Sequence, residues 1–166
     1  MIELIQNKKH LIYYKKKFLK KVKNLANKNV RKRARVCIHT SQKDKTHEMI
    51  IVLKRGSYIQ PHIHPNSKSE SYHVLEGKMD VYVFSKSGKK LKTIKMGDYK
   101  SNLNFYYRMG KKNFYHMPIA TSNFCVYHEV FSGPFNKKSD VKYSKWSPKE
   151  SEKKLVNSFL KRIGYL

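Results

Sequence analysis

Between residues 11 and 25 apolar side chains return at steps of three and four, as Leu11, Tyr14, Phe18, Val22 and Leu25. That spacing predicts one stripe of an α-helix running to about Ala26, with lysines around the rest of its circumference. After a basic connector over 27–35 the period shortens to two. Strands are predicted at 35–39, 48–53, 70–76, 79–84 and 124–131, where β-branched, aromatic and aliphatic residues alternate or cluster. Ser87-Gly88 marks a hairpin between 81–84 and 91–94, and Gly97-Asp98 marks a further turn. Strand following strand with no helix between them argues for an all-β core, an antiparallel sandwich or barrel. Near the end, Ser147-Pro148-Lys149-Glu150 reads as a capping serine, a first-turn proline and a glutamate three residues past the cap. Leu155, Phe159 and Ile163 then form the expected buried stripe, and Gly164 the stop. The expected organisation is a basic N-terminal helix and connector over 1–34, a β core over 35–135, and a tail with a short helix over 136–166.

Length adds that a single domain suffices: 166 residues bury roughly two thirds of their unfolded surface around one core. Cys37 and Cys125 lie far apart with no Cys-x-x-Cys spacing, which disfavours a disulfide framework and suits a reducing compartment. The first residues place an acid, Glu3, beside a very short apolar stretch, and nowhere do roughly 18 apolar residues run together. No secretory signal and no membrane span are expected, and the cytoplasm is the expected location.

Charge changes the picture more. The chain carries 37 basic and 11 acidic residues, net +26. Residues 1–35 hold 13 basic and 1 acidic, 36–135 hold 15 and 7, and 136–166 hold 9 and 3. The excess is densest in the flanks. Such a field attracts anions, whether nucleic acid, acidic lipid or a phosphorylated substrate. The opposing reading is a solvated lysine-rich surface produced by compositional bias. No RNA-binding signature, zinc finger or helix-turn-helix spacing accompanies the charge, which disfavours a nucleic-acid partner.

One stretch, 56–77, gathers metal-capable side chains at informative spacing. His62 and His64 stand one residue apart, so on an extended strand both imidazoles point the same way. The run 65–69 leaves room for a turn, and Glu70 opens the returning strand facing the pair. Two neutral imidazoles and a carboxylate suit a divalent transition metal and need one further ligand, for which His116 is the best candidate. Zn, Mn, Fe, Ni and Cu all accept such donors, so one divalent ion is expected without its element being fixed. Tyr72 shares strand parity with Glu70 and is a candidate for hydrogen bonding or proton shuttling. Whichever of His128 and Glu129 points inward is a candidate base, and Glu129 is the catalytic nominee. Lys68, between the ligands, is a candidate for an anionic group of the substrate.

Gly56, His62, His64, Glu70 and Gly77 resemble the first motif of the cupins: glycine, five residues, His-x-His, a short gap, glutamate, six residues and glycine. The gap after His64 is one or two residues longer than in many cupins. Over nearly its whole length the chain resembles the WbuC-type cupin-fold metalloproteins. The corresponding segments are Arg31-Lys32-Arg33-Ala34-Arg35, Cys37-Ile38-His39, His47-Glu48-Met49-Ile50, Pro61-His62-Ile63-His64-Pro65, Glu70 and Leu75-Glu76-Gly77. Later ones are Tyr115-His116, Glu129-Val130, Gly133-Pro134-Phe135 and Trp146-Ser147-Pro148-Lys149-Glu150. Before the late histidine that family usually has Pro and Gly, where this chain has residues 108–113. The resemblance implies a single jelly-roll barrel of six to eight strands with one bound metal, and an association with surface-polysaccharide gene clusters of the O-antigen type. A sugar or anionic sugar derivative is the candidate substrate, and a homodimer, the pairing common among single-domain cupins, is the candidate assembly. Sugar isomerisation or epimerisation, or oxygen chemistry with a redox metal, is the expected reaction class. A carbohydrate-binding cupin without turnover and an anion binder working through the basic flanks are the alternatives.

Overall fold

The computed structural model describes residues 3–6, 11–65, 68–110 and 114–166. Parts of the expected 65–69 turn (66 and 67) and of the 108–113 loop (111–113) lie outside these residues. In chain order the elements are β1 (Glu3–Gln6), α1 (Lys16–Lys28), β2 (Arg33–Cys37), β3 (Thr46–Lys54), β4 (His62–Ile63), β5 (Glu70–Glu76) and β6 (Lys78–Phe84). They continue as β7 (Lys90–Gly97), β8 (Tyr106–Met109), β9 (Tyr115–Ala120), β10 (Phe124–Ser132), α2 (Lys137–Asp140), β11 (Lys142–Tyr143) and α3 (Lys153–Arg162).

Two sheets result, one in the order β1-β2-β3-β10-β5-β8 and the other β11-β4-β9-β6-β7. All pairs are antiparallel except β1 with β2. This is the antiparallel two-sheet core expected from the strand pattern and the jelly roll implied by the resemblance, with one correction: the ladders do not close into a barrel. A lone bridge from Met96 to Asn104 spans one corner. At the other end β4 and β11 are two residues each. Pro61 and Pro65 flank β4 and bring no N–H to a ladder, which keeps that strand short.

Strand alternation sorts the residues into layers. Leu53, Tyr72, Met79, Val81, Cys125 and Tyr127 fill the space between the sheets. The outward face of β2, β3 and β10 (Val36, Val52, Val126) packs under α1 through Val22 and Ala26. The outward face of β6 and β9 (Tyr82, Phe84, Met117, Ile119) packs under α3. Each sheet thus has a helix on its outer face. Cys37 and Cys125 are buried free thiols, and burial pushes the Cys125 thiol up to about 12. No helix among the described residues is long and apolar enough to cross a membrane.

Both helices start later than the periodicity suggests. Leu11 lies before α1 and is 77% exposed, whereas Tyr14, Phe18, Leu25 and the buried Val22 do form the stripe. The C-terminal helix begins at Lys153, with Glu152 at its cap and accepting from the Lys149 N–H at 2.6 Å. Its buried face is Val156, Phe159, Leu160 and Ile163, while Leu155 is 58% exposed. Moving the start re-indexes the stripe by one residue. Leu160→Ala should therefore cost about 2–3 kcal/mol, and Leu155→Ala less than about 0.5 kcal/mol. Urea unfolding of the two variants distinguishes the faces, and equal losses would contradict this packing.

Candidate metal centre

His62 lies on β4, held between β11 and β9, where it pairs directly with His116. On β9 the inward positions are His116, Pro118 and Ala120, since Met117 and Ile119 pack outward under α3. His64 lies just past the end of β4, and its ring sits edge-on to Phe131 at 4.8 Å between centroids. Ring centroids are 4.3 Å apart for His62 and His116, 5.1 Å for His62 and His64, and 5.2 Å for His64 and His116.

Each imidazole is oriented from behind. Nδ1 of His62 lies 3.1 Å from the Gln60 carbonyl oxygen, Nδ1 of His64 lies 2.8 Å from that of Asp140, and Nδ1 of His116 lies 3.1 Å from that of Phe114. A carbonyl only accepts, so each Nδ1–H donates to its carbonyl, and each ring turns its Nε2 toward a common centre. One ligand nitrogen from each ring lies within 4.8 Å of the others. The short 136–140 segment that supplies the Asp140 carbonyl is itself pinned, because the Asn136 N–H donates to Asp140 Oδ2 at 2.7 Å.

Glu70, 3% exposed, completes the nest. Its Oε2 is 3.1 Å from His64 Nε2 and its Oε1 is 2.7 Å from His116 Nε2, while the Tyr72 hydroxyl donates to Oε1 at 2.9 Å. The His116 approach lacks hydrogen-bond alignment, so a fully buried Nε2 has no hydrogen-bond partner among the described residues. Three lone pairs and a carboxylate facing one point repel one another unless a positive charge sits among them. Without one, burial opposes charging of His64, the Glu70 carboxylate outweighs it, and its pKa rises. Burial and the two neighbouring imidazoles hold His62 well below its usual value. Burial works to raise Glu70, but His116 and His64 outweigh it and hold the carboxyl well below the ordinary range. The donor set fits a divalent cation.

The nest opens into a cavity of about 340 Å³. Tyr72 and Glu129 line it from adjacent strands, directly opposite each other in register. Glu129 is therefore the inward residue of the pair considered from sequence, and His128 points the other way, 3.5 Å from Glu48. Burial, and then the Glu70 carboxylate, push the Glu129 carboxyl up to about 8 against the pull of His64 and Arg35. Burial also pushes the Tyr72 phenol well above its normal value. Lys68 is not among the cavity-lining residues; its Nζ donates to the Pro134 carbonyl at 2.7 Å and lies 4.0 Å from Asp140 Oδ2.

Sequence reasoning missed what orients the histidines. The acceptors are main-chain carbonyls of Gln60, Phe114 and Asp140, and a carbonyl leaves no mark in residue type. It also left the far wall unassigned, where Arg31 and Arg33 pair with Glu150 at 2.5 and 2.7 Å. The Arg31–Arg35 and Trp146–Glu150 segments were both singled out in the sequence without being joined to each other.

Comparison with known proteins gives the fold its company. Protein SO0799 from Shewanella oneidensis superposes with a TM-score of 0.55 at 14% identity, over 80% of this chain and 84% of that one. An uncharacterised conserved protein with a double-stranded β-helix domain from Klebsiella pneumoniae subsp. pneumoniae has a TM-score of 0.47 at 14% identity, over 68% and 84%. For KdgF from Halomonas sp. the values are 0.45 and 17%, over 64% and 82%. At these identities the likeness is one of fold alone, and SO0799 carries it. No curated protein sequence matches the chain. Residues 14–96, half of the length and the stretch that holds His62, His64, Glu70 and Tyr72, match a family model, and the chain belongs to that family, described as a domain of unknown function (DUF6016).

Proposed function

We propose that the protein is a metal-dependent enzyme that holds one divalent cation on His62, His64, Glu70 and His116 and acts on a carbohydrate or nucleotide-sugar. The observation that carries this reading is the set of three imidazoles, each fixed through Nδ1 to a backbone carbonyl and aimed through Nε2 at a shared point beside a buried carboxylate. Purely structural histidines have no reason to share that arrangement, whereas metal ligands are oriented in this way. The carbohydrate class and a place in surface-polysaccharide assembly rest on the likeness to the WbuC-type proteins.

A divalent cation in the nest would polarise a hydroxyl or carbonyl or lower the pKa of bound water. The chain's own groups do the rest. The Tyr72 hydroxyl holds Glu70 in its ligating orientation. Glu129, whose carboxyl burial and the Glu70 charge raise to about 8, is placed to donate a proton into the cavity and take one back. That fits isomerisation or epimerisation of a sugar, where a proton leaves one carbon and returns to another.

The test is elemental analysis of the purified protein followed by a turnover screen on sugars and nucleotide-sugars with each of Zn, Mn, Fe, Ni and Cu. Metal uptake with turnover that His62→Ala abolishes is the expected result; protein that takes up none of these ions would sink the reading.

The raised pKa of Glu129 also predicts a pH effect in chelator-treated protein. Between its ordinary 4.5 and about 8 the native state keeps a proton that the unfolded chain has released. Proton linkage then makes stability fall as pH rises through that window. Glu129→Gln should flatten that part of the profile. Urea midpoints measured from pH 5 to 9 check it, and parallel profiles for the two proteins would refute the assignment.

A further inference from the structure

We infer that Arg35 forms an oxyanion subsite in the cavity that holds the histidine nest, so that the molecule accepted there carries a carboxylate or a phosphate monoester. This rests on the metal-enzyme reading for the other end of the ligand, but the subsite itself is built from residues of β2, β3 and β10.

Register fixes the direction. Arg35 stands opposite Ile51, and Ile51 opposite Tyr127; Ile51 and Tyr127 belong to the packing between the sheets. Arg35 is therefore on the inner face, and it lines the same cavity as His62, His64 and Glu70. Its charge works against the burial-driven rise of both the Cys37 thiol and the Glu129 carboxyl, two groups that line the same cavity.

The three arginines of the segment differ in what they hold. Arg31 and Arg33 share Glu150, and Arg33 also donates to the Tyr58 carbonyl at 2.6 Å. Arg35 has no carboxylate within ion-pair distance among the described residues. Among the described residues its one hydrogen bond runs from Nη1 to Met49 Sδ at 3.8 Å, and a thioether is a weak acceptor. Its Nε–H is buried with no acceptor among the described residues. A guanidinium stays charged at every accessible pH, and a buried donor on it without an acceptor is strongly unfavourable. Nε and the adjacent Nη present the paired donors that match the two oxygens of a carboxylate or phosphate. A cavity of about 340 Å³ is at the small end for ligand sites, the size for a monosaccharide derivative rather than a polymer.

Isothermal titration at fixed ionic strength, with glucose 6-phosphate and glucuronate as probes and glucose as the neutral reference, tests this. At least one anion should bind at least tenfold tighter than glucose, and which one does so tells phosphate from carboxylate. Arg35→Gln should lose at least tenfold in that affinity with metal content unchanged. Lys92→Gln removes the same charge from an exposed position on β7 and should change affinity less than twofold. Neither anion exceeding glucose, an unaltered affinity in Arg35→Gln, or an equal loss in Lys92→Gln overturns the subsite. Should Arg35→Gln not fold, Arg35→Lys decides, since it keeps the charge and loses the fork: a loss of fivefold or more supports the subsite, and no loss overturns it. If the wild type takes up no metal the enzyme reading falls alone, and the same titration on metal-free protein still judges Arg35.

Discussion

Saturation with a divalent cation should raise the melting temperature of the wild-type protein by roughly 5–10 °C, and His116→Ala should remove that increment almost completely. A ligand at a hundred times its dissociation constant that binds only the native state adds about 2.7 kcal/mol. For a chain of this size each kcal/mol moves the midpoint by about 2–4 °C. The effect is large because binding relieves a conflict already built into the fold. Burial, with His116 and His64 beside it, holds His62 well below its usual value, Glu70 is held well below the ordinary carboxyl range, and the buried His116 Nε2 makes no aligned hydrogen bond among the described residues. A cation satisfies all of these groups together. His116→Ala lowers stability on its own account, so the quantity to read is the difference between loaded and chelated protein within each variant. Tyr72→Phe deletes only the hydroxyl that donates to Glu70 and should weaken metal affinity by about tenfold while keeping most of the thermal increment at saturation. Scanning calorimetry with each of Zn, Mn, Fe, Ni and Cu measures it, and a wild-type midpoint that none of them moves removes the metal centre.

How much of this was legible depends on whether side chains or main chain carry the information. β5 was read over the residues it occupies, since its alternation buries Glu70, Tyr72 and Val74 and turns Ser71, His73 and Leu75 out. The parity argument placed His62 and His64 on one side, and the two rings do lie together. What holds them there is different: His64 has left the ladder and is fixed by the Asp140 carbonyl, 76 residues away. A long-range main-chain acceptor has no sequence signature. The C-terminal cap misled for a related reason. Ser147, Pro148 and Glu150 have the residue types of a helix start, but each is engaged in tertiary contacts. Ser147 bonds Ser144, the Pro148 carbonyl accepts the Tyr58 hydroxyl, and Glu150 binds Arg31 and Arg33. The helix begins only once those side chains are placed. The same contacts join the basic segment before β2 to the tail, so two stretches far apart in sequence together make the far wall of the cavity.

Gly77→Ala should destabilise the protein by at least about 4 kcal/mol, while Gly56→Ala should cost only about 1–2 kcal/mol. The two glycines occupy equivalent ends of the cupin-like motif and nearly identical backbone conformations, φ +82° and +83°. An L-residue held in that left-handed region pays about 1–2 kcal/mol at either position. Their surroundings differ. A Cβ on Gly56 would meet the end of the Lys32 side chain at 3.0 Å, which can swing aside into solvent. A Cβ on Gly77 would lie 2.1 Å from the Phe124 carbonyl oxygen, part of the β10 backbone, and 2.7 Å from Ser122 Oγ. Neither can move without disturbing the ladder, because Gly77 is also tied to Asp98 through its N–H and its carbonyl. The turn joins β5 to β6, so relief of the clash must pull one sheet away from the other at the strand that carries Glu70. Thermal midpoints of chelated protein should therefore fall by roughly 8–16 °C for Gly77→Ala and by roughly 2–8 °C for Gly56→Ala. Matching losses at the two positions would show that backbone strain alone sets the motif, and that close approach of β10 does not.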